Sequence, residues 1–312
     1  MKKSILFILF ILVIISCEDI IFPKLEINDP IIVVDAWIND KKEKQTIFIS
    51  KTQDYLDLSS VKRITGANVI VKDDMGNTFE FFEESNGNYV WYPNSNDTTI
   101  GNVGTDFNLK IEYDGKIIEA LSTMNRTSNI DSINFLEGDF PDDDSYYAEF
   151  WSQENDGLGD AYWIKAWKNG ELLASSTDII TCIDAGASSM GVEIDGVAFI
   201  PPIRRSITQF KQDEDDNFLP PYEFGDSLYV EIHSISLEAF YFLYMAKIQI
   251  NRRGGFSELF SVSLANLPTN LSITNNTNIP ILGFFSVSSV SGKGNVLDDE
   301  ELDRIERAKR EW

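Results

Sequence analysis

The chain has 312 residues, with 50 acidic against 26 basic side chains and a formal charge of −24 at neutral pH. A field of that sign repels nucleic acid and anionic lipid surfaces, and no Lys/Arg cluster marks a phosphate-binding face, so no nucleic-acid partner is expected. Only two cysteines occur, Cys17 and Cys182, so stability must come from an apolar core, which the 43% hydrophobic content can supply.

The chain opens with MKKSILFILFILVIISCEDI, residues 1–20. Lys2 and Lys3 form a basic start, and the apolar run from Ile5 to Ile15 follows. As a helix at about 1.5 Å per residue that run reaches only about 16 Å, well short of the roughly 30 Å hydrocarbon core of a bilayer. A basic start, a short apolar core and a small residue at its end make a secretory signal, here residues 1–16. Ser16 is directly followed by Cys17, the arrangement that bacterial lipoprotein processing recognises, although the commonest leucine three places before the cysteine is missing. The expected chemistry is thioether attachment of diacylglycerol to the Cys17 sulfur and cleavage before Cys17. Each buried methylene of such a chain adds about 0.8 kcal/mol, so two or three chains hold a protein stably on a bilayer. An ordinary cleaved signal with a coincidental cysteine is the alternative. With Cys17 acylated, Cys182 has no disulfide partner and reads as a small buried hydrophobe.

Residues 17–30 form an acidic, proline-punctuated tether. From Ile31 the segments IIVVDAWI, QTIFIS, ANVIVKD, NTFEFFEE, NYVWY and FNLKIEY follow at roughly ten-residue spacing, rich in β-branched and aromatic side chains. That spacing predicts an antiparallel β-sandwich over 31–124 rather than βαβ units. Asp73 to Thr78 is a turn between two strands, and Asp114-Gly115 suits a two-residue hairpin because both positions take positive φ at low cost.

A polar break at Asn125 to Ser128 opens a second antiparallel β region, 125–296, containing one helix. Its expected strands are YYAEFW, AYWIKAW and ELLASST (the last two flanking Asn169-Gly170), then GVAFI, RRSITQF and DSLYVEIHSIS. Ser236 to Arg253, with apolar residues on every face, fits one buried helix capped by Ser236, with a strand as the alternative. Ile279 to Val290 reads as a closing strand. Residues 297–312 form a charged helical tail, with Glu300–Arg304 and Glu306–Arg310 as supporting pairs four apart.

No catalytic constellation, metal-ligand spacing or cofactor motif emerges. The one histidine, His233, sits in an alternating strand without a G-x-S-x-G segment, and reads as a half-buried strand residue. Asp142–Asp144, Asp156–Asp160 and Asp213–Asp216 could offer oxygens to calcium, but none follows the EF-hand pattern, and solvated acidic loops account for them. Aromatics are more informative. In AYWIKAW, Tyr162, Ile164 and Ala166 face one way and Trp163, Lys165 and Trp167 the other. Trp163 and Trp167 are therefore candidates for a sugar-stacking or partner-binding platform, with core packing against a second sheet as the alternative.

The lipobox, PIIVVDAWINDKKEKQTIFISKT, ITGANVIVKDDMGNTFEFFEESNGNYV and the late IPILGFFSVSSV together resemble the Bacteroidota outer-membrane lipoproteins of domain-of-unknown-function family 4249. The resemblance implies an immunoglobulin or transthyretin-like first domain, and a role beside a TonB-dependent receptor. It carries over no catalytic residue. Glu18 and Asp19 after Cys17 are similar to the signal that sends lipoproteins of that phylum to the cell surface.

Three functions are therefore in view. The first is a non-enzymatic, outer-membrane lipoprotein, lipid-anchored through Cys17 and facing the exterior, that assists a TonB-dependent receptor in ligand capture or uptake. The second is a carboxylate-based surface glycan hydrolase, and the third a structural or adhesive envelope lipoprotein.

Overall fold

Alternation of buried and exposed residues, visible from Ile32 onward, is realised as strands. The computed structural model describes residues 29–54, 57, 59–94, 99–138, 145–183, 196–252, 265–276 and 278–310. Cys17, Glu18, Asp19 and the Asp142–Asp144 loop lie outside the described residues. The fold is mainly β, as the strand spacing predicts.

The first unit is built from β1 (Ile32–Asn39), β2 (Gln45–Lys51), β3 (Asn68–Asp73), β4 (Thr78–Ser85), β5 (Asn88–Trp91), β6 (Asp106–Tyr113) and β7 (Lys116–Thr123). Each sends every second side chain inward; Ile32, Val34, Ala36 and Ile38 of β1 are all buried. β4 pairs with β3 near its start and with β5 near its end, so it turns the corner of the sheet. Asp114 and Gly115 both adopt positive φ, as the β6–β7 hairpin requires.

The second unit holds β8 (Ile130–Gly138) and β9 (Ser145–Ser152) as a hairpin. Beside it lie β10 (Ala161–Lys168), β11 (Glu171–Leu172), β12 (Ile180–Ile183) and β13 (Ser227–Ile235), with β10 paired to β11, β12 and β13. The expected strand RRSITQF does not form: Arg204 ends the helix α1 (Pro201–Arg204), whose first turn suits Pro201 and Pro202, and 205–210 continue as a turn and irregular chain. GVAFI contributes only a single bridge, Ala198 to Gln153, and ELLASST only the two residues of β11. The buried faces of β8, β9, β10 and β13 enclose a second core around Phe135, Phe150, Tyr162 and Ile232.

The helix α2 (Leu237–Ile250) starts where Ser236 accepts a hydrogen bond from the amide of Ala239, as the capping residue predicts. The chain then contributes β14 (Ser272–Ile273), β15 (Ile281–Ser288), β16 (Val290–Val296) and α3 (Asp299–Arg310). The expected closing strand is in fact two. β15 pairs in parallel with β1, from Ile32 against Ile281 to Asn39 against Ser288, whereas β16 pairs antiparallel with β13. The chain within 125–296 thus returns to the first sheet before completing the second. Asn270 fixes that return: it donates to the carbonyls of Leu121 on β7 and Phe285 on β15 and accepts from the Phe285 amide. The nine-stranded sheet curls round one core until β7 and β15 are bridged.

Gly283 lies inside β15 at φ +103°, and a Cβ there would run into the backbone carbonyl of Val34. Only glycine allows β15 to sit this close to β1. In α3, Arg304 pairs with Glu301 rather than Glu300, and Lys309 with Glu306 and Glu137. Glu301 also accepts from the Phe135 amide at 2.8 Å, so the tail docks on β8.

Candidate functional site

The two units meet where β15 gives way to β16. Asn125 accepts from the hydroxyls of Ser234 (2.7 Å) and Ser289 (2.8 Å), and Asp40 accepts from the amide of Val290 at 3.0 Å. This seam brings the outer face of β1 against the outer face of β10 and β13.

On β10 and β13 the register pairs Trp163 with His233, Lys165 with Glu231 and Trp167 with Tyr229. Because side chains alternate along both strands, these six occupy one face. The first unit adds Trp37 from β1 and Lys41 from the turn after it. Trp37 meets Trp163 edge-on at 5.1 Å and stacks on Phe284 at 5.6 Å, while Phe242 of α2 tilts against both Trp37 and Phe284. Lys165 lies over the Trp163 ring, its ammonium 3.9 Å from the centroid.

Glu231 is the electrostatic centre. Its Oε1 accepts from Lys41 Nζ at 2.5 Å, and its Oε2 lies 2.9 Å from His233 Nε2. Burial by itself would raise the carboxyl, but the hydrogen bonds from His233 and Lys41 and their charges outweigh it and bring it to about 2. Burial works the other way on His233, lowering it to about 4 despite the favourable contact with Glu231. At neutral pH the ring is therefore neutral and donates its Nε2 proton to Glu231. Burial also lowers Lys165 to about 8, against the opposing pull of Glu231 and Asp35. Asp35, on the exposed side of β1, is raised because the surrounding protein crowds out water; a hydrogen bond with Trp37 opposes this.

These positions define what the face can do. His233 is 4% exposed, more buried than its alternating strand implies, and its Nε2 is occupied by a carboxylate that is itself held by a lysine. No serine or cysteine side chain hydrogen-bonds to its ring among the described residues. Trp163 and Trp167 do share one face, but their surroundings differ. Trp163 is packed between Trp37 and Lys165, whereas the one aromatic partner of Trp167 among the described residues is Tyr229, at 5.7 Å, whose own ring lies over Gly292 and Gly294 of β16. Trp163 and Trp167 are both half-buried, and Tyr229 beside Trp167 is the more exposed ring, at 38%. The alternation of Glu231 and His233 makes their neighbourhood legible in sequence; Lys41 and Trp37 carry no such signal, because they arrive from the other unit.

The remaining sequence candidates have structural partners. Asp160 binds Arg126 at 2.8 Å. Asp213 caps its own turn, accepting from the amides of Asp215 and Asn217. Among the described residues no group of three or more His, Cys, Asp or Glu side chains is arranged to hold a metal ion, and no helix is long and apolar enough to cross a membrane. Cys182 is buried on β12, and burial pushes its thiol up to about 12.

No curated protein matches the chain. The family model described as a domain of unknown function, DUF4249, matches residues 18–293, and the chain belongs to that family.

Proposed function

We propose that the protein is a Bacteroidota outer-membrane lipoprotein, non-enzymatic and facing the cell exterior, that assists a TonB-dependent β-barrel receptor in capturing or taking up its ligand. The observation that carries this reading is the segment ISCEDI: an apolar run, a small residue, Cys17 as the acylated residue, and Glu18 and Asp19 as the export signal. The acidic tether to residue 30 then separates the lipid from the first strand. The buried polar groups of the junction support a non-enzymatic role, since Glu231 and His233 are engaged with each other and with Lys41. The receptor partner follows from the family resemblance, and the anchor puts the protein on the same bilayer.

Extraction of cells in a mild detergent, followed by affinity capture of the tagged protein, tests the reading. A large β-barrel receptor should be recovered with the wild-type chain. It should be lost when Cys17→Ala prevents anchoring. Repeated recovery of the anchored protein without any barrel would contradict the receptor role.

A further inference from the structure

A second charged cluster lies on the opposite side of the second unit. On β9, Ala148 and Phe150 face the core, so Tyr147, Glu149 and Trp151 face outward. The short helix α1 lays Arg204 and Arg205 across them. The Arg204 guanidinium stacks 3.5 Å over Trp151, and that of Arg205 lies 5.0 Å over Tyr147. Glu149 accepts from Trp151 Nε1 at 2.8 Å through one oxygen and from Arg205 Nε at 3.2 Å through the other.

Arg204 is left out. Its nearest approach to that second oxygen is 3.8 Å, beyond hydrogen-bonding reach. Its side chain is only 10% exposed, its Nε is buried without a partner, and it makes no hydrogen bond among the described residues. A guanidinium has five N–H donors, so burying it without hydrogen-bond partners is costly. A buried donor without a partner is where an added acceptor gains most. Among the described residues two guanidiniums share one carboxylate, which leaves the cluster one positive charge in excess inside a strongly acidic chain.

We propose that Arg204 and Arg205 bind a small organic carboxylate that bridges their guanidiniums. One carboxylate restores local neutrality, whereas a doubly charged phosphate beside Glu149 would leave an excess of negative charge. Stacking on Trp151 holds the Arg204 fork flat, the geometry suited to a planar, two-oxygen partner. Arg205, 48% exposed, marks the route from solvent. The site is independent of the lipid anchor and of the receptor.

Thermal unfolding of the soluble mature chain, titrated with acetate, phosphate or chloride at constant ionic strength, tests this. Acetate should raise the melting temperature saturably and phosphate and chloride should not. Arg204→Lys and the more exposed Arg205→Lys should each weaken the acetate effect about tenfold, the loss of about one charge-assisted contact. Arg204→Met should abolish it, while melting in chloride at or above the wild-type temperature because a buried charge without hydrogen bonds has been removed. Absence of an acetate effect in the wild-type chain, an equal effect of phosphate, or an acetate effect that survives Arg204→Met or Arg205→Lys unchanged would each overturn the proposal.

Discussion

Two outward faces of the second unit carry the same ingredients, a tryptophan, a buried carboxylate and a pair of cationic side chains, yet they are finished differently. At the junction, both oxygens of Glu231 are used, Lys41 and His233 are the partners, and Trp37 closes over Trp163. On β9, Glu149 satisfies Arg205 and Trp151 but leaves Arg204 without a hydrogen bond. A completed network holds two units together; an incomplete one keeps bonding capacity for something else. Composition alone does not separate the two cases, because what differs is the count of donors and acceptors that have found each other.

The largest effect should come from removing the close approach that sets up the junction. Gly283→Ala puts a side chain into the Val34 carbonyl at a backbone angle that L-residues avoid, and should cost about 4 kcal/mol or prevent folding. Urea unfolding measures this, and a loss below about 1 kcal/mol would mean that β15 does not pack on β1 in this way. Next, Glu231→Ala leaves Lys41 and His233 without their shared acceptor and should cost about 3 kcal/mol. The contrast with Arg204→Met, expected to be neutral or stabilising, is the sharpest mutational comparison of the two faces.

The pH dependence follows from His233. Its ordinary value is 6.5 and its folded value about 4, so between these limits the unfolded chain binds the proton and the folded chain does not. Stability from this group is complete above about pH 6.5 and falls as pH drops towards 4, by about 3 kcal/mol at most. Glu231, lowered to about 2 from 4.5, extends the loss below pH 4.5. His233→Gln should flatten the upper part of the profile and leave a lower part; an unchanged slope between pH 6.5 and 4 would show that His233 is not buried neutral. The smallest effect is expected from Trp167→Ala. Its one aromatic partner among the described residues is Tyr229, so stability should change by about 1 kcal/mol, whereas Trp163→Ala, which loses both Trp37 and Lys165, should cost about 3 kcal/mol. Equal losses would remove the distinction between the two tryptophans.

Much of this architecture was legible in the residues. Alternation gave the strands, Asp114-Gly115 and Asn169-Gly170 marked their turns, and Ser236 announced α2. Long-range pairing was not legible. ILGFFSVSSV looks like one strand, and nothing local says that Ser289 hands the chain from one sheet to another. Pro201 and Pro202 start the helix α1 just before an apparent strand, and that helix brings Arg204 over Trp151. Lys41 reaches Glu231 from a distant turn, so the junction network could be half read, from Glu231 and His233, and no further.

The most direct measurement is the mass of the N-terminal peptide of the mature protein isolated from membranes. The account predicts a chain that begins at Cys17 and carries a diacylglyceryl group on its sulfur. An unmodified Cys17, or a chain that begins elsewhere, would contradict it.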